Sequence, residues 1–517
     1  MRGTASSGSV SSLSNRQFSR WIWRQLTSMR TALFLLLLLA LAAVPGSLIP
    51  QRGVDPQKVE AYFLNHPSSA PIMDRFGMFS VYTSPWFSAI YLLLLVSLVG
   101  CIIPRTGVYA RALRARPPKA PSNFVRLPAS ASFETSHSVD TVLMAGRKTI
   151  GRARVDKVDN ELRAETGFLR EAGNLIFHIC LVIVLVGVAS GALYGYRGSA
   201  IVTEGSGFSN TLTQYDEFGS GALFDTDNLN PFSMTLDNFT AKFQLTGPQR
   251  GAPREFEGTG RYIPTPGSAE KPFTITVNHP LTIDGTSIYL VGQGYAPVVK
   301  VTDPDGNVAF EGAVPFLPSD ATYTSTGVIK VPDAEPTQLG FQGFFLPTAV
   351  SVGAKAPISA FPAAANPLLG LFAYSGDLGL DSGNPQSVFI LNKDKLTQFT
   401  NKDRTPLRLS LSTGEIADLP DGSTLQFVEL KQFVKFQFSS SPLLQVPLWG
   451  ISIGILGLML SLTIKPRRTW IRARRDGTRT VVEIAVLDRV SRGDPPVNLD
   501  DFVERFTAAL AEFKDDK

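Results

Sequence analysis

The chain has 517 residues, enough for two or three compact units, with 44% hydrophobic residues and only 18% charged ones. That shortage of charge points to apolar residues gathered in bilayer-length runs, and the net charge of +5 is too unevenly spread to suggest nucleic acid as a partner. Only Cys101 and Cys180 occur, both in apolar runs, so no disulfide framework is expected; without Cys-x-x-Cys or Cys-x-x-Cys-His the chain is neither a thioredoxin-like reductase nor itself a c-type cytochrome.

The first 30 residues form a basic tail with Arg16, Arg20, Arg24 and Arg30. "TALFLLLLLALAAVPGSLIP" (31–50) follows, an uncharged run of the length that spans a bilayer. A basic start, an apolar stretch and Ala40-Leu41-Ala42 would also suit a cleavable signal peptide, but the apolar run continues to Pro50 and favours an uncleaved span. A 51–85 loop leads to the second span, "WFSAIYLLLLVSLVGCIIP" (86–104). A basic loop (105–171) starts with Arg105, Arg111, Arg114, Arg116 and Lys119, and ends in "AETGFLREAGN". The third span (172–196) is uncharged yet contains His178.

Residues 197–440 are rich in Gly, Pro, Thr and Phe and lack a long helical period. "PFTITVNHP" alternates, with Phe273, Ile275 and Val277 on one face of an expected strand. "TSIYLVGQGYAPVVKVTDPDGNVAFEG" reads as two or three strands with a turn at Asp305-Gly306, and "LPDGSTLQFVEL" as a turn followed by a strand. Pro and Gly between 320 and 390 suggest long loops. The expected fold is therefore a polytopic α-helical membrane protein of four spans with a large all-β domain, sandwich-like or barrel-like, and small additional elements. The fourth span is 441–464; the tail (465–517) has a strand-like "RTVVEIAVLDRV", an Asp-rich linker and a short amphipathic helix.

Charge at the span ends predicts orientation. The basic residues before the first span, after the second and in "KPRRTWIRARR" (465–475) put both termini and the 105–171 loop in the cytoplasm, and the 51–85 loop and the 197–440 domain outside. Residues 196–442 hold 16 basic and 24 acidic residues, a net of −8, which leaves +13 for the remainder. All five tryptophans (Trp21, Trp23, Trp86, Trp449, Trp470) fall near span ends, where indole prefers the interface. The basic clusters suit contact with anionic membrane lipids. Neither a Walker loop, nor G-x-G-x-x-G after a strand, nor H-E-x-x-H, nor G-x-S-x-G occurs, which weighs against a hydrolase or an ATPase.

Four histidines remain to be weighed. His178 lies six residues past Ala172, about 9 Å into the third span and in its inner half. It is either an interhelical hydrogen-bonding residue or an axial ligand to haem iron or another metal. Cys180, about 200° away around the helix, cannot share a metal with it and is expected to pack. His279, beside Pro280, is a turn residue or a second, outer ligand; His66 reads as a loop residue and His137 as a solvated one.

"LTSMRTALFLLLLLALAAVPGSLIPQR" (26–52), "SPWFSAIYLLLLVSLVGCIIPRT" (84–106), "ETGFLREAGNLIFHICLVIVLVG" (165–187) and "VNHPLTIDGTSIYLVGQGYAP" (277–297) resemble the ResB (CcsB) family of System II cytochrome c biogenesis, as does the order of spans and domains. Two departures stand out: the resemblance leads one to expect a Lys near Thr166, as in many members, and a His in place of Gln293, as in some. The resemblance implies a bacterial plasma (inner) membrane protein, the non-catalytic subunit of a cytochrome c haem lyase complex. In that role it exports haem b and presents it for thioether attachment to Cys-x-x-Cys-His of apocytochrome c. The partners implied are a Trp-rich membrane protein of the ResC (CcsA) type, apocytochrome c and the thioredoxin-like thiol reductase of the pathway. His178 would be the haem axial ligand, with His279 and His66 as weaker outer candidates. The competing expectation is a membrane-anchored extracytoplasmic β-domain that acts as a scaffold or sensor without haem.

Overall fold

A computed structural model of the chain describes residues 14–351, 356–380, 387–489 and 499–513. The described helices are α1 (Asn15–Leu26), α2 (Met29–Leu48), α3 (Pro56–Asn65), α4 (Ala70–Arg75), α5 (Pro85–Arg114), α6 (Val139–Ile150), α7 (Phe168–Tyr194), α8 (Gln445–Thr463) and α9 (Leu499–Ala511). Four of them, α2, α5, α7 and α8, are long and apolar enough to cross a membrane, which makes this a multi-pass membrane protein. The chain divides into two compact units, residues 1–189 with 443–517, and residues 190–442.

In the first unit, spans α2 and α5 start at hydroxyl caps. The Ser28 side chain accepts from the Thr31 N–H, and the Ser84 side chain accepts from the Phe87 N–H ahead of Pro85 at the first helical position. Pro104 does not stop α5. The helix runs ten residues beyond the apolar stretch to Arg114, because a proline removes a single helical hydrogen bond that surrounding structure can replace.

Span α7 meets α8 along a seam of small residues. Gly173, Cys180 and Gly187 are the buried residues of α7, and Gly450, Gly454 and Gly457 those of α8. A Cβ on Gly173 would run into the Gly457 carbonyl oxygen, and one on Gly454 would lie 3.3 Å from the Cys180 Cβ. Close backbone approach of this kind is the usual basis of helix pairing in lipid, where apolar burial alone gives no preference. Span α5 contacts both neighbours. Tyr91 donates its hydroxyl to the Leu185 carbonyl on α7 at 2.6 Å, and the Cys101 thiol donates to the Thr27 carbonyl, just before α2, at 3.0 Å.

The loop before α7 and the tail after α8 build one domain. Five antiparallel strands lie in the order Ala129–Thr135, Arg479–Asp488, Arg467–Asp476, Glu161–Thr166, Arg154–Val158. Helices α6 and α9 cover the sheet through Val142, Leu162, Ile471, Ile484, Phe502 and Phe506. The sequence foretold the last strand and α9, but not that the two segments share a sheet. The Asp-rich linker between them lies outside the described residues.

The second unit is β-rich. Two 17-residue strands, Thr286–Thr302 and Thr424–Ser440, pair antiparallel along their length. One half of the pair, with Ile288, Phe436 and Phe438, packs on the sheet of Ser233–Phe243, Pro253–Ile263 and Lys271–Thr276. The other half, with Val299, Val301 and Phe427, packs on the sheet of Ser325–Val331, Leu339–Leu346 and Leu368–Gly376. The unit thus comprises two sandwich-like lobes joined by one ribbon, in line with the expected antiparallel β domain. The expected strands around the Asp305-Gly306 turn are Thr286–Thr302 and Val308–Ala313, paired antiparallel. The 320–390 stretch differs: it supplies three central strands rather than only long loops. The alternating strand also stops at Thr276: Phe273 and Ile275 are buried, whereas Val277 is exposed in the turn that follows.

Candidate ligand site among the membrane helices

His178 lies on the face of α7 opposite the glycine seam. Arg170, Asn174 and His178 follow at four-residue spacing, with Glu171 and Leu175 beside them, and all five line one cavity of about 850 Å³. That volume falls within the roughly 300–1,000 Å³ of small-molecule and cofactor pockets. From α5 come Leu98, Cys101, Ile102, Arg105, Val108 and Tyr109, again one helical face. Met29, Ala32 and Leu33 of α2 close the wall. Cys180 faces the other way and packs on α8.

The imidazole is held in a single orientation. His178 Nδ1 lies 2.7 Å from the Asn174 carbonyl oxygen, one helical turn back. A carbonyl oxygen only accepts, so Nδ1 carries the proton, and in the neutral ring Nε2 keeps its lone pair. No side chain or backbone group among the described residues bonds to Nε2. A neutral imidazole fixed through one nitrogen and open at the other is the arrangement of a metal-ligating histidine. Among the described residues no three His, Cys, Asp or Glu side chains come together.

The cavity is chemically graded. Around His178 the wall is apolar, with Leu33, Leu98 and Leu175. Toward the start of α7 it becomes charged, with Arg105, Arg170, Glu171 and Arg489. Arg489 is tied down by Glu165 at 3.3 Å and Glu171 at 3.6 Å, and Glu165 also accepts from Arg468 at 3.0 Å. The strand pair Arg467–Asp476 and Arg479–Asp488 is thereby anchored at the cavity rim.

The sequence profile of the ResB-like family matches residues 29–496, nearly the whole chain. The chain belongs to the ResB-like family. Among its relatives, the cytochrome c biogenesis protein CcsB of Synechococcus sp. (strain WH7803) is 26% identical over 283 residues, which cover 53% of this chain and 60% of that protein. CcsB of Gloeobacter violaceus is 24% identical over 325 residues, covering 56% and 63%. The cytochrome c biogenesis protein Ccs1 of Phaeodactylum tricornutum is 26% identical over 279 residues, covering 52% and 62%. The chain thus spans about three-fifths of the length of these curated relatives.

In this ResB-like protein none of the other histidines lines the cavity. His66 caps the end of α3 with its ring tilted against Tyr62, centroids 4.5 Å apart, and lines a smaller hollow with Ser47, Leu48 and Lys58. That hollow is at the opposite end of α2 from Met29, about 28 Å along the helix. His279 belongs to the second unit, where it sits in an exposed turn after the left-handed Asn278 and its Nδ1 lies 3.1 Å from the Thr276 hydroxyl. His137 occupies the turn before α6. Gln293 is buried in the ribbon strand.

Sequence reading singled out His178 and missed the groups around it. The four-residue spacing of Arg170, Asn174 and His178 was visible in the sequence. In the sequence alone Arg105 reads as an orientation and lipid-contact signal. Arg489 reaches the rim solely through the fold of its domain.

Proposed function

We propose that this ResB-like protein acts in cytochrome c biogenesis, with haem b as its cargo and His178 Nε2 as an axial ligand to the iron. One observation carries the reading: a span histidine whose Nδ1 is fixed by Asn174 and whose Nε2 is open, in a cavity apolar at one end and charged at the other. Haem has the same division, an apolar macrocycle with iron that takes imidazole and two charged propionates. The names of the relatives support the pathway.

In this reading the termini and the 129–166/467–513 domain are cytoplasmic and the β unit lies outside, as the basic span flanks favour. Helix α1 supports that orientation. Arg16, Arg20 and Arg24 form one stripe, while Phe18, Trp21, Ile22 and Trp23 stand exposed, the pattern of a helix lying on an anionic leaflet. The cargo enters from the cytoplasmic end. It passes to a Trp-rich ResC (CcsA)-type partner for attachment to apocytochrome c, whose cysteines the pathway's thioredoxin-like reductase keeps reduced. His178 positions the cargo; bond formation belongs to the complex. His279 and His66 remain secondary outer candidates.

The test is a His178→Ala variant expressed with the partner in its own membranes. The purified complex should lose its haem Soret absorption, and haem-stained c-type cytochromes should disappear. Unchanged cytochromes together with a wild-type complex that carries no haem would instead support a β-domain scaffold.

A further inference from the structure

The geometry points to Arg105 and Arg170 as a clamp for the cargo's two carboxylates, one that orients the macrocycle and restricts the cavity to tetrapyrroles with free acid side chains. This inference rests on reading the cavity as a haem site.

Both arginines line the cavity from different helices, Arg105 from α5 and Arg170 from α7. Their neighbours among the arginines are neutralised: Arg467 pairs with Asp488, Arg468 with Glu165, and Arg489 with Glu165 and Glu171. Among the described residues no carboxylate lies within ion-pair distance of Arg105 or Arg170, and the polar side-chain contact found for Arg105 is the Met29 thioether, at 3.9 Å. Arg105 is exposed and Arg170 half-buried, and two guanidinium groups without a carboxylate partner at the rim of one cavity suit an anionic ligand. Guanidinium also suits the task, because its planar fork takes a carboxylate through two parallel hydrogen bonds.

Spacing sets the orientation. Arg170 precedes His178 by eight residues on one face of α7, about 12 Å along the axis. A ligand held at both places has its iron toward His178 and its carboxylates toward the charged rim. Such a ligand is a metalloporphyrin dicarboxylate. A phospholipid headgroup would satisfy the arginines but would leave His178 Nε2 without a partner.

The experiment titrates the purified full-length chain in lipid nanodiscs with haemin and with haemin dimethyl ester, whose carboxylates are blocked, and follows the Soret band. The wild-type protein should bind haemin about tenfold or more tightly than the ester, the loss expected when a charge-assisted hydrogen-bonding partner is removed. Arg105→Gln with Arg170→Gln should lower haemin affinity to that of the ester and leave ester binding nearly unchanged. Arg105→Lys with Arg170→Lys keeps the charge that sets topology and should fall between. Equal affinity of the wild-type protein for both porphyrins, or a double variant that still prefers haemin, overturns the clamp while the haem site stands. A double variant that loses both porphyrins equally overturns it as well, since the arginines then support the fold. A wild-type protein that binds neither porphyrin overturns the haem reading and the clamp together.

Discussion

His178 Nδ1 donates to the carbonyl oxygen of Asn174 at 2.7 Å, and in the neutral ring this bond leaves Nε2 with its lone pair on a side chain that lines the cavity. Because the acceptor is backbone, the Asn174 side chain is not needed to orient the ring. Asn174→Ala should therefore keep the Soret band of bound haem, whereas His178→Gly should lose it. The glycine variant leaves a hole of imidazole size in a wall that is otherwise intact, so added imidazole should restore a bis-nitrogen or mono-imidazole spectrum. Failure of imidazole to restore any haem signal in a well-folded His178→Gly protein would argue against ligation by this residue.

Cys180 is two residues from His178 but serves packing. Its Cβ faces Gly454, and its carbonyl oxygen lies 3.4 Å from where a Gly450 Cβ would sit. Cys180→Ala should leave haem content and cytochrome maturation at wild-type levels, with a cost of about 1 kcal/mol or less in stability. Gly173→Val should behave oppositely. The added carbons meet the Gly457 carbonyl oxygen and the Leu460 Cβ, so α7 and α8 must separate, at about 1–3 kcal/mol. Thermal unfolding in detergent, compared between the two variants, separates thiol chemistry from helix packing.

The four spans were legible because the bilayer imposes a single strong rule, about 20 residues without charge, and the sequence obeys it four times. The antiparallel β character was legible from alternation at Phe273 and Ile275 and from turn residues such as Gly306, which adopts φ 85°. The ribbon was not. Local pattern cannot announce that Ile288 pairs with Phe438 across 150 residues, nor that one strand passes through two cores. The same limit hid the cavity. His178 stood out because an imidazole is rare in a span, but Arg105 and Arg489 look like ordinary basic flanks until tertiary structure brings them to one rim.

Glu161 ties the two segments of the small sheet. It accepts from Arg472 at 2.8 Å and from Arg163 at 3.0 Å. Burial alone would raise its pKa, but the two guanidinium groups prevail and hold it below the ordinary 4.5. A carboxylate whose folded pKa is lowered adds stability that is present above the unfolded value and lost as pH falls through the folded one. Glu161→Gln should therefore cost about 1–2 kcal/mol at pH 7, with the difference from wild type shrinking as pH falls below the ordinary carboxylate range. Hydrogen exchange of the strands Glu161–Thr166 and Arg467–Asp476 across that range measures it. A difference that stays constant as pH falls through the acid range would show that shape, not charge, holds the join.

Phe438 offers a test of the ribbon. Its ring stacks on Phe208 at 4.2 Å between centroids, meets Tyr215 edge-on at 5.4 Å, and is fully buried. The same strand carries Phe427, fully buried in the other core against Phe345. Each Phe→Ala change should cost about 3–5 kcal/mol, because it removes a large apolar contact and leaves a cavity that rigid sheets fill poorly. If the ribbon makes the two lobes one cooperative unit, Phe438→Ala should also lower protection of Leu339–Leu346, a strand that Phe438 does not contact. Loss confined to the strands around Phe208 would mean that each lobe unfolds on its own. Native-state hydrogen exchange on the two variants distinguishes these outcomes.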